Sequence, residues 1–146
     1  MQSVNTSELT GAALDWAVAK CEGGHIGVVN GGVFFDAHDE NGFTLFEPST
    51  DWAQGGPIIE REKITVLCAE GAYSSKLRGY KTYWIAERGH QRASEVYGSQ
   101  GDNWGTSFQI ANDEMTGPTP LIAAMRCYVA SELGDKSEVP KELLNV

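Results

Sequence analysis

The stretch between residues 49 and 57 combines hydroxyl, indole, amide and glycine groups in a spacing that suits ligand binding at the start of a helix. Its seven candidate ligand-binding residues are Ser49, Thr50, Asp51, Trp52, Gln54, Gly55 and Gly56. The first turn of a helix exposes unpaired backbone N–H groups that bind anions. An indole ring stacks on bases, and glycines let a ligand approach the backbone. In the structural alternative, Ser49 only caps the helix, Trp52 belongs to the core and the glycines let two helices pack closely.

A second helix start follows residue 116, in the sequence Thr-Gly-Pro-Thr-Pro. Thr119 is the expected cap, and Pro120 takes the favoured first helical position. Gly117 and Thr119 extend the anion-binding hypothesis to this helix start. The structural alternative is a rigid loop that only begins the helix. The two helix starts form one ligand site only where they open onto a common cleft, which the sequence does not decide.

Arg126 is the only charged residue in the first three turns of this last helix. A guanidinium on an apolar helix must be paired or reach solvent, because an unpaired buried charge is costly. The functional interpretation is a fixed guanidinium that grips the phosphate or carboxylate of a ligand. The alternative is an internal salt bridge, with Asp15, Asp51, Glu60 or Glu62 as the partner.

Three further tryptophans complete the aromatic set. Trp104 lies in the loop sequence Asp-Asn-Trp-Gly and is a second candidate for stacking on a base or sugar. Trp84 lies in an apolar strand and is expected in the core. Trp16 lies off the apolar stripe of its helix, which indicates a second packing surface or a subunit contact.

No pattern typical of an enzyme active site occurs: the chain has no nucleophile elbow, Walker loop, Gly-x-Gly-x-x-Gly or His-Glu-x-x-His. The acid pairs Glu60/Glu62 and Asp113/Glu114 have the ordinary spacing of a solvated surface rather than that of a magnesium site. The histidines lie far apart and no Cys-x-x-Cys pair is present, so a zinc site is not expected. We therefore expect no enzyme activity, no metal and no cofactor.

The composition is that of one globular domain spanning residues 1–146, with a polar, peripheral tail from about residue 135. The net charge of −9 argues against nucleic-acid binding and against an anionic membrane surface, which both require basic residues. It leaves a DNA mimic open, although the carboxylates are scattered. The chain shows no secretion signal and no apolar run near the ~20 residues of a membrane span. Its three cysteines are expected to be reduced and buried, as in a cytosolic protein.

Hydrophobic periodicity predicts three helices. The first runs from about Thr10, its cap, to Cys21, and its nearly uncharged sequence predicts cover on more than one face. The second opens at Ser49, and Pro57 is expected to kink or restart it. The last begins at Thr119 and ends at Gly134.

Short strands are predicted on both sides of a glycine-rich turn, at 28–29 and 33–35, and near 43–46. Further strands are predicted at 64–69 and 80–87, of which the second has the strongest β propensity. The segments 70–79 and 88–103 are expected to be loops. Helices and strands in this order predict an α+β fold.

Three long stretches carry a resemblance to a known family: residues 9–20, 48–62 and 117–134. They resemble the NinX-like bacteriophage proteins of unknown function and, more distantly, the phage ABA-sandwich domain. The resemblance implies a three-layer α/β/α sandwich, with a small, mostly antiparallel sheet and helices on its faces. It also implies a phage or prophage gene and action in the cytoplasm of the infected bacterium. It brings no established activity and no catalytic residues.

The leading functional hypothesis is a phage accessory binding protein that sequesters a nucleotide-derived immune signal and so blocks host anti-phage defence. Amide groups and Arg126 hold phosphate in this hypothesis, and Trp52 or Trp104 stacks on the base. We expect a homo-oligomer, because a small domain encloses a ligand more fully at a subunit interface. The alternatives are a protein–protein inhibitor of a host DNA-binding or defence enzyme and, third, a metal-dependent nucleotide hydrolase.

Overall fold

A computed structural model describes residues 1–36, 42–74, 79–88 and 115–144 of the chain. Within these ranges the chain forms three α-helices and eight β-strands, and the strands pair in three separate antiparallel sheets. The predicted α+β class and antiparallel pairing are therefore confirmed. The expected single sheet is replaced by three small ones, and the three-layer sandwich stays a prediction.

Helix α1, Gly11–Glu22, lies at the centre of the described core. All seven residues from Ala13 to Ala19 are buried, so the helix is covered on every side by the rest of the fold. The three alanines of this run, Ala13, Ala17 and Ala19, let neighbouring elements approach closely. Gly23 ends the helix in the left-handed conformation that glycine adopts without strain, and its N–H donates to the Ala19 carbonyl.

Helix α3, Pro120–Leu133, begins and ends where the sequence predicts. The Thr119 hydroxyl accepts a hydrogen bond from the Ile122 N–H at 3.1 Å, and Gly134 follows the last turn. A continuous buried run from Ala123 to Val129 packs this helix against α1.

Helix α2, Trp52–Glu62, differs from its prediction at both the start and the middle. Its cap is Asp51, whose carboxylate accepts from the Ala53 N–H at 3.0 Å, so the prediction of a Ser49 cap was wrong. Pro57 lies inside one continuous helix and does not restart it. Proline removes only one N–H donor there, and the helix keeps the bonds on either side.

The three sheets are formed by neighbouring strands. Strands β2 (His25–Val29), β3 (Gly32–Asp36) and β4 (Thr44–Leu45) form one meander. Strands β5 (Ile64–Ser74), β6 (Gly79–Arg88) and β7 (Met115–Gly117) form a second, which packs on α3. β5 is longer than predicted, because its register shift between Ala69 and Ala72 carries the strand past Gly71 into the expected loop.

The third sheet joins the two ends of the described chain. Strand β1 (Gln2–Asn5) pairs with β8 (Lys136–Val139), and short 3₁₀ helices follow each of them, Thr6–Glu8 and Lys141–Leu143. Val139 and Leu143 are buried in the core. The segment after Gly134 is polar, as expected, but the prediction that it is peripheral was wrong.

Two neighbouring glycines of α2 give a test of this packing. A Cβ on Gly55 would clash with the Pro48 carbonyl and lie 2.6 Å from Leu121 Cδ2, whereas a Cβ on Gly56 would meet nothing within 4 Å. We expect Gly55→Ala to lower the free energy of unfolding by about 1–3 kcal/mol through overpacking. Gly56→Ala should instead raise it by about 0.5–1 kcal/mol, because alanine is the better helix former. Urea unfolding of both variants checks this, and equal effects would contradict the close approach of α2 and α3.

Candidate functional site

The predicted site at the start of α2 is partly occupied by the protein's own groups. Asp51 caps the helix, so one of the first-turn amides is already bonded. The Gln54 side chain is bonded as well: its Oε1 accepts from the Glu47 N–H at 2.5 Å and its Nε2 donates to the Leu45 carbonyl at 2.9 Å. Gln54 therefore fixes the connection between β4 and α2. The carboxylate of Asp51 also disfavours a bare phosphate at this helix start.

Trp52 and the two glycines do not all support the same interpretation, ligand binding or helix packing. The side chain of Trp52 is 57% exposed, so the structural alternative that places it in the core is wrong. Gly55 is buried against Pro48 and Leu121, as the packing alternative predicts. Gly56 faces open space. Trp52 thus offers an accessible stacking face, while Gly55 is required for packing.

Ser49 is buried and its backbone N–H donates to Asp15 Oδ1 at 2.8 Å. Thr50, the next residue, is exposed. Asp15 lies in the buried run of α1, and burial raises its pKa to about 6, against the opposing effect of the hydrogen bonding from Ser49. This carboxylate anchors the turn that precedes α2. Ser49 therefore has a structural partner that sequence reasoning did not identify.

The start of α3 lies beside the start of α2, since Leu121 in the first turn of α3 contacts the position of Gly55. The two predicted helix starts are therefore neighbours. Thr119 caps α3 with its own hydroxyl. Gly117 is buried, and a Cβ there would lie 2.7 Å from the Ala123 nitrogen, so this glycine lets β7 pack on the helix. Both helix starts are thus capped by side chains of the protein.

Arg126 is buried, with 8% of its surface exposed, and it binds two backbone carbonyls. Its Nε donates to the Leu9 oxygen and its Nη1 to the Thr116 oxygen, each at 2.8 Å. Burial lowers the pKa of the guanidinium, and the nearby charge of Glu8 opposes this shift. Within the described residues it makes no salt bridge, so the four carboxylates expected as partners are not its partners. Arg126 links the approach to α1 with β7.

Trp104 and the pair Asp113/Glu114 lie outside the described residues. Trp16 is buried in the core, with the ammonium of Lys20 5.1 Å from its ring, so the expected second surface is internal to the fold. Trp84 packs against the core, as predicted. Cys127 is buried and Cys21 half-buried, but Cys68 is exposed, which corrects the expectation of three buried thiols.

A charged cluster at the C-terminal ends of the three helices was not predicted. The Arg61 guanidinium donates to both carboxylate oxygens of Glu22, at 3.1 and 2.5 Å, and to Glu62 at 2.7 Å. Arg88 binds Glu62 and, at 2.8 Å, Glu132. Acidic groups at helix C-termini are unfavourable, and the two arginines offset them. The spacing of these residues in the sequence, across four elements, gives no signal for the cluster.

A cavity of about 240 Å³ lies at the start of α1. Thr10 is in the cap position, as predicted, but its side chain makes no capping hydrogen bond. The cavity is lined by the residues of this helix start and by three apolar side chains from the chain ends: Glu8, Leu9, Thr10, Gly11, Ala12, Ala13, Val4, Leu143 and Leu144. None of the predicted site residues lines it. The sequence predicts the cap residue here, but nothing in it indicates that the threonine hydroxyl makes no capping hydrogen bond.

The described residues contain no cluster of three or more potential metal ligands. Among the described helices, none has the length and apolar character to cross a membrane.

The Asp15 carboxylate predicts a pH dependence of stability. Its pKa is about 6 in the fold and 3.8 as the ordinary value, so folding favours the protonated form. This contribution is present below about pH 4 and is lost as the pH rises through 6, a change of at most roughly 3 kcal/mol. Asp15→Asn keeps an oxygen that accepts from Ser49 but does not titrate. Denaturant unfolding between about pH 4 and 7.5 should show the slope of the parent reduced in the variant, and an unchanged slope would refute this assignment.

The Arg126 contacts predict a large difference between two arginine substitutions. Arg126→Met leaves two carbonyls without their donor and should lower the free energy of unfolding by about 2–4 kcal/mol. Arg61→Met removes two half-exposed ion pairs, with Glu22 and Glu62, and should cost less than about 2 kcal/mol in total. Urea unfolding of the two variants measures both values. The reverse ranking would show that Arg126 does not organise the fold.

The comparisons with known proteins identify a family. The family model described as "Bacteriophage P22, NinX" matches residues 5–132. No curated protein matches the chain. Because the matched range covers most of the sequence, the chain belongs to the bacteriophage P22 NinX family.

Proposed function

We propose that this NinX family protein is a non-catalytic binding protein that sequesters a nucleotide-type signal in the cytoplasm of the infected bacterium and so blocks host anti-phage defence. The observation that carries the proposal is the cavity of about 240 Å³ at the uncapped start of α1. A site of this kind combines apolar walls with a few polar groups that fix a ligand's orientation.

The amides at this helix start favour an anionic group. Thr10 makes no side-chain bond to the amides, and the helix supplies partial positive charge at this end. The buried guanidinium of Arg126 adds charge behind the Leu9 carbonyl, which it binds at 2.8 Å. The chemistry that the sequence placed at α2 and α3, amides with Arg126, is thus better supported at α1.

Glu8 restricts which anions fit. An ionised carboxylate only accepts hydrogen bonds and repels a second negative charge. A ligand that carries hydrogen-bond donors beside one anionic group satisfies both Glu8 and the helix start. Ribose hydroxyls or an exocyclic amine next to a phosphate have this character. Val4, Leu143 and Leu144 supply the apolar wall against a sugar or base. The volume corresponds to roughly eight water molecules, which suits a mononucleotide-sized part of a ligand.

A protein partner is the second candidate, and Trp52 favours it. An exposed indole at the first turn of a helix is typical of the residues that dominate binding energy in protein interfaces. In this proposal the acidic protein inhibits a host DNA-binding or defence enzyme, with Trp52 as its anchor. The metal-dependent hydrolase has no comparable support among the described residues.

Substitution of Thr10 tests the small-molecule proposal. Calorimetry should detect micromolar binding of at least one ligand from a set of cyclic nucleotides and ADP-ribose derivatives, with inorganic phosphate as the reference. Thr10→Asp places a capping carboxylate on the same amides, so we expect the melting temperature to rise while the affinity falls at least about tenfold. A rise in melting temperature together with a fall in affinity distinguishes loss of the site from loss of the fold.

Two matched variants complete this test. Thr10→Asn caps the helix without charge and should reduce affinity less than Thr10→Asp does. Trp52→Ala should leave ligand affinity unchanged if the cavity is the site, and should abolish capture of a stoichiometric protein from host lysate if the second candidate is right. No binding of any nucleotide at micromolar concentration would overturn the first proposal.

A further inference from the structure

We infer that a second copy of the chain pairs with the open edge of strand β2, in an antiparallel, two-fold arrangement centred on Gly27. β2 pairs with β3 on one side and is the edge of its sheet in the described part of the chain. The inference concerns self-association and is independent of the ligand proposed above.

The turn between β2 and β3 determines which residues face the open edge. Asn30 and Gly31 both have positive φ, 51° and 79°, which is the signature of a type I′ turn. In such a turn the flanking residues, here Val29 and Gly32, bond to each other. Because bonding directions alternate along an antiparallel strand, Gly27 also faces β3. Ile26 and Val28 therefore direct their N–H and C=O groups to the open edge.

A two-fold axis at Gly27 pairs these groups with those of a second copy. Ile26 of one copy lies opposite Val28 of the other, and the reverse pair forms at the same time. Each is a hydrogen-bonded pair that exchanges two bonds, which gives four backbone hydrogen bonds in all. The two Gly27 residues form the non-bonded pair between them, at roughly 4.5 Å between Cα atoms, where side chains approach most closely. Glycine places no side chain there.

The outer face of the strand supplies an apolar contact at the same axis. Phe43 Cε1 lies 3.9 Å from the position of a Cβ on Gly27, so the ring covers Gly27, yet the side chain is 55% exposed. Val29 is 57% exposed and, two residues along the strand, shares the face of Gly27. In the two-fold arrangement the Phe43 rings of both copies meet above the axis and lose contact with water.

Apart from His25 at its first residue, β2 has no ionisable side chain, no proline and no register shift. Charges, prolines and bulges are the features by which proteins block pairing between sheets. Other strands of the fold do have such features. Strand β5 has the register shift near Gly71 and carries Glu70, and β8 carries Lys136 and Glu138. The sequence of β2 is His-Ile-Gly-Val-Val.

Charge also favours this contact between two copies. Each copy has a net charge of −9, so association is least opposed where the surface lacks acidic groups. The acidic residue of the neighbouring strand β3 is Asp36, at the end of the hairpin opposite the turn. Its carboxylate lies 3.8 Å from His25 Nδ1. An uncharged edge on an acidic protein therefore suits a second copy.

Sedimentation velocity over a range of concentrations tests the pairing. The interface is smaller than the ~1,600 Å² of standard complexes, so we expect a dissociation constant of about 1–100 µM. Val29→Lys places a charge two residues from the axis and Phe43→Glu places one above it, and each should weaken the dimer at least about tenfold. Leu133→Lys alters an exposed apolar side chain on α3 and should leave it unchanged.

Amide hydrogen exchange gives a second readout on the unaltered protein. The N–H groups of Ile26 and Val28 should exchange more slowly at high than at low protein concentration, whereas residues at the start of α2 should not change. A protein that stays monomeric to about 500 µM, or a dimer insensitive to both Val29→Lys and Phe43→Glu, would overturn the inference.

Discussion

The desolvated guanidinium of Arg126 constrains the arrangement of the rest of the fold. A buried cation without a carboxylate partner among the described residues must be satisfied by oriented dipoles, and the carbonyls of Leu9 and Thr116 supply them. Leu9 precedes α1, Thr116 lies in β7, and Arg126 is in α3. The approach to α1 is thus held against β7 and α3, which follow each other more than 100 residues later in the chain. The same contact fixes the backbone at the start of α1, where the cavity lies.

Local sequence patterns predicted the elements whose signals are short-range. Cap and stop residues predicted α1 and α3 correctly, because Thr10 and Thr119 occupy the cap positions and Gly23 and Gly134 follow the last turns. β1 and β8 were missed because each is a short polar strand, and only its partner at the other end of the chain stabilises it. α2 was placed too early, since Ser49 and Asp51 are both good caps by type. The choice between them depends on Asp15, which takes the N–H of Ser49 from a different helix.

The candidate site was less accessible to sequence reasoning than the fold. The sequence predicted a site of helix amides and Arg126 at the starts of α2 and α3, whereas the cavity lies at the start of α1 and Arg126 does not line it. Whether a threonine hydroxyl bonds to its helix is decided by rotamer and packing: Thr119 does so and Thr10 does not, although both look equivalent in sequence. The exposure of Trp52 and the burial of Gly55 likewise depend on where α3 lies. The cluster of Arg61 and Arg88 with helix-terminal glutamates arises only when three helix ends meet.

The pairing of β1 with β8 has a consequence for the order in which this chain folds. Strand β1 is synthesised long before its hydrogen-bonding partner β8, which contains the buried Val139. Thr6 is bonded to the residues just before β8. Its N–H donates to the Asp135 carbonyl and its hydroxyl donates to the Gly134 carbonyl, both at 2.8 Å. Closing so long a loop costs entropy that local contacts cannot offset. The helix start and cavity beside Thr10 are therefore completed only after β8 and Leu143 have been synthesised, and β1 stays without this partner until then.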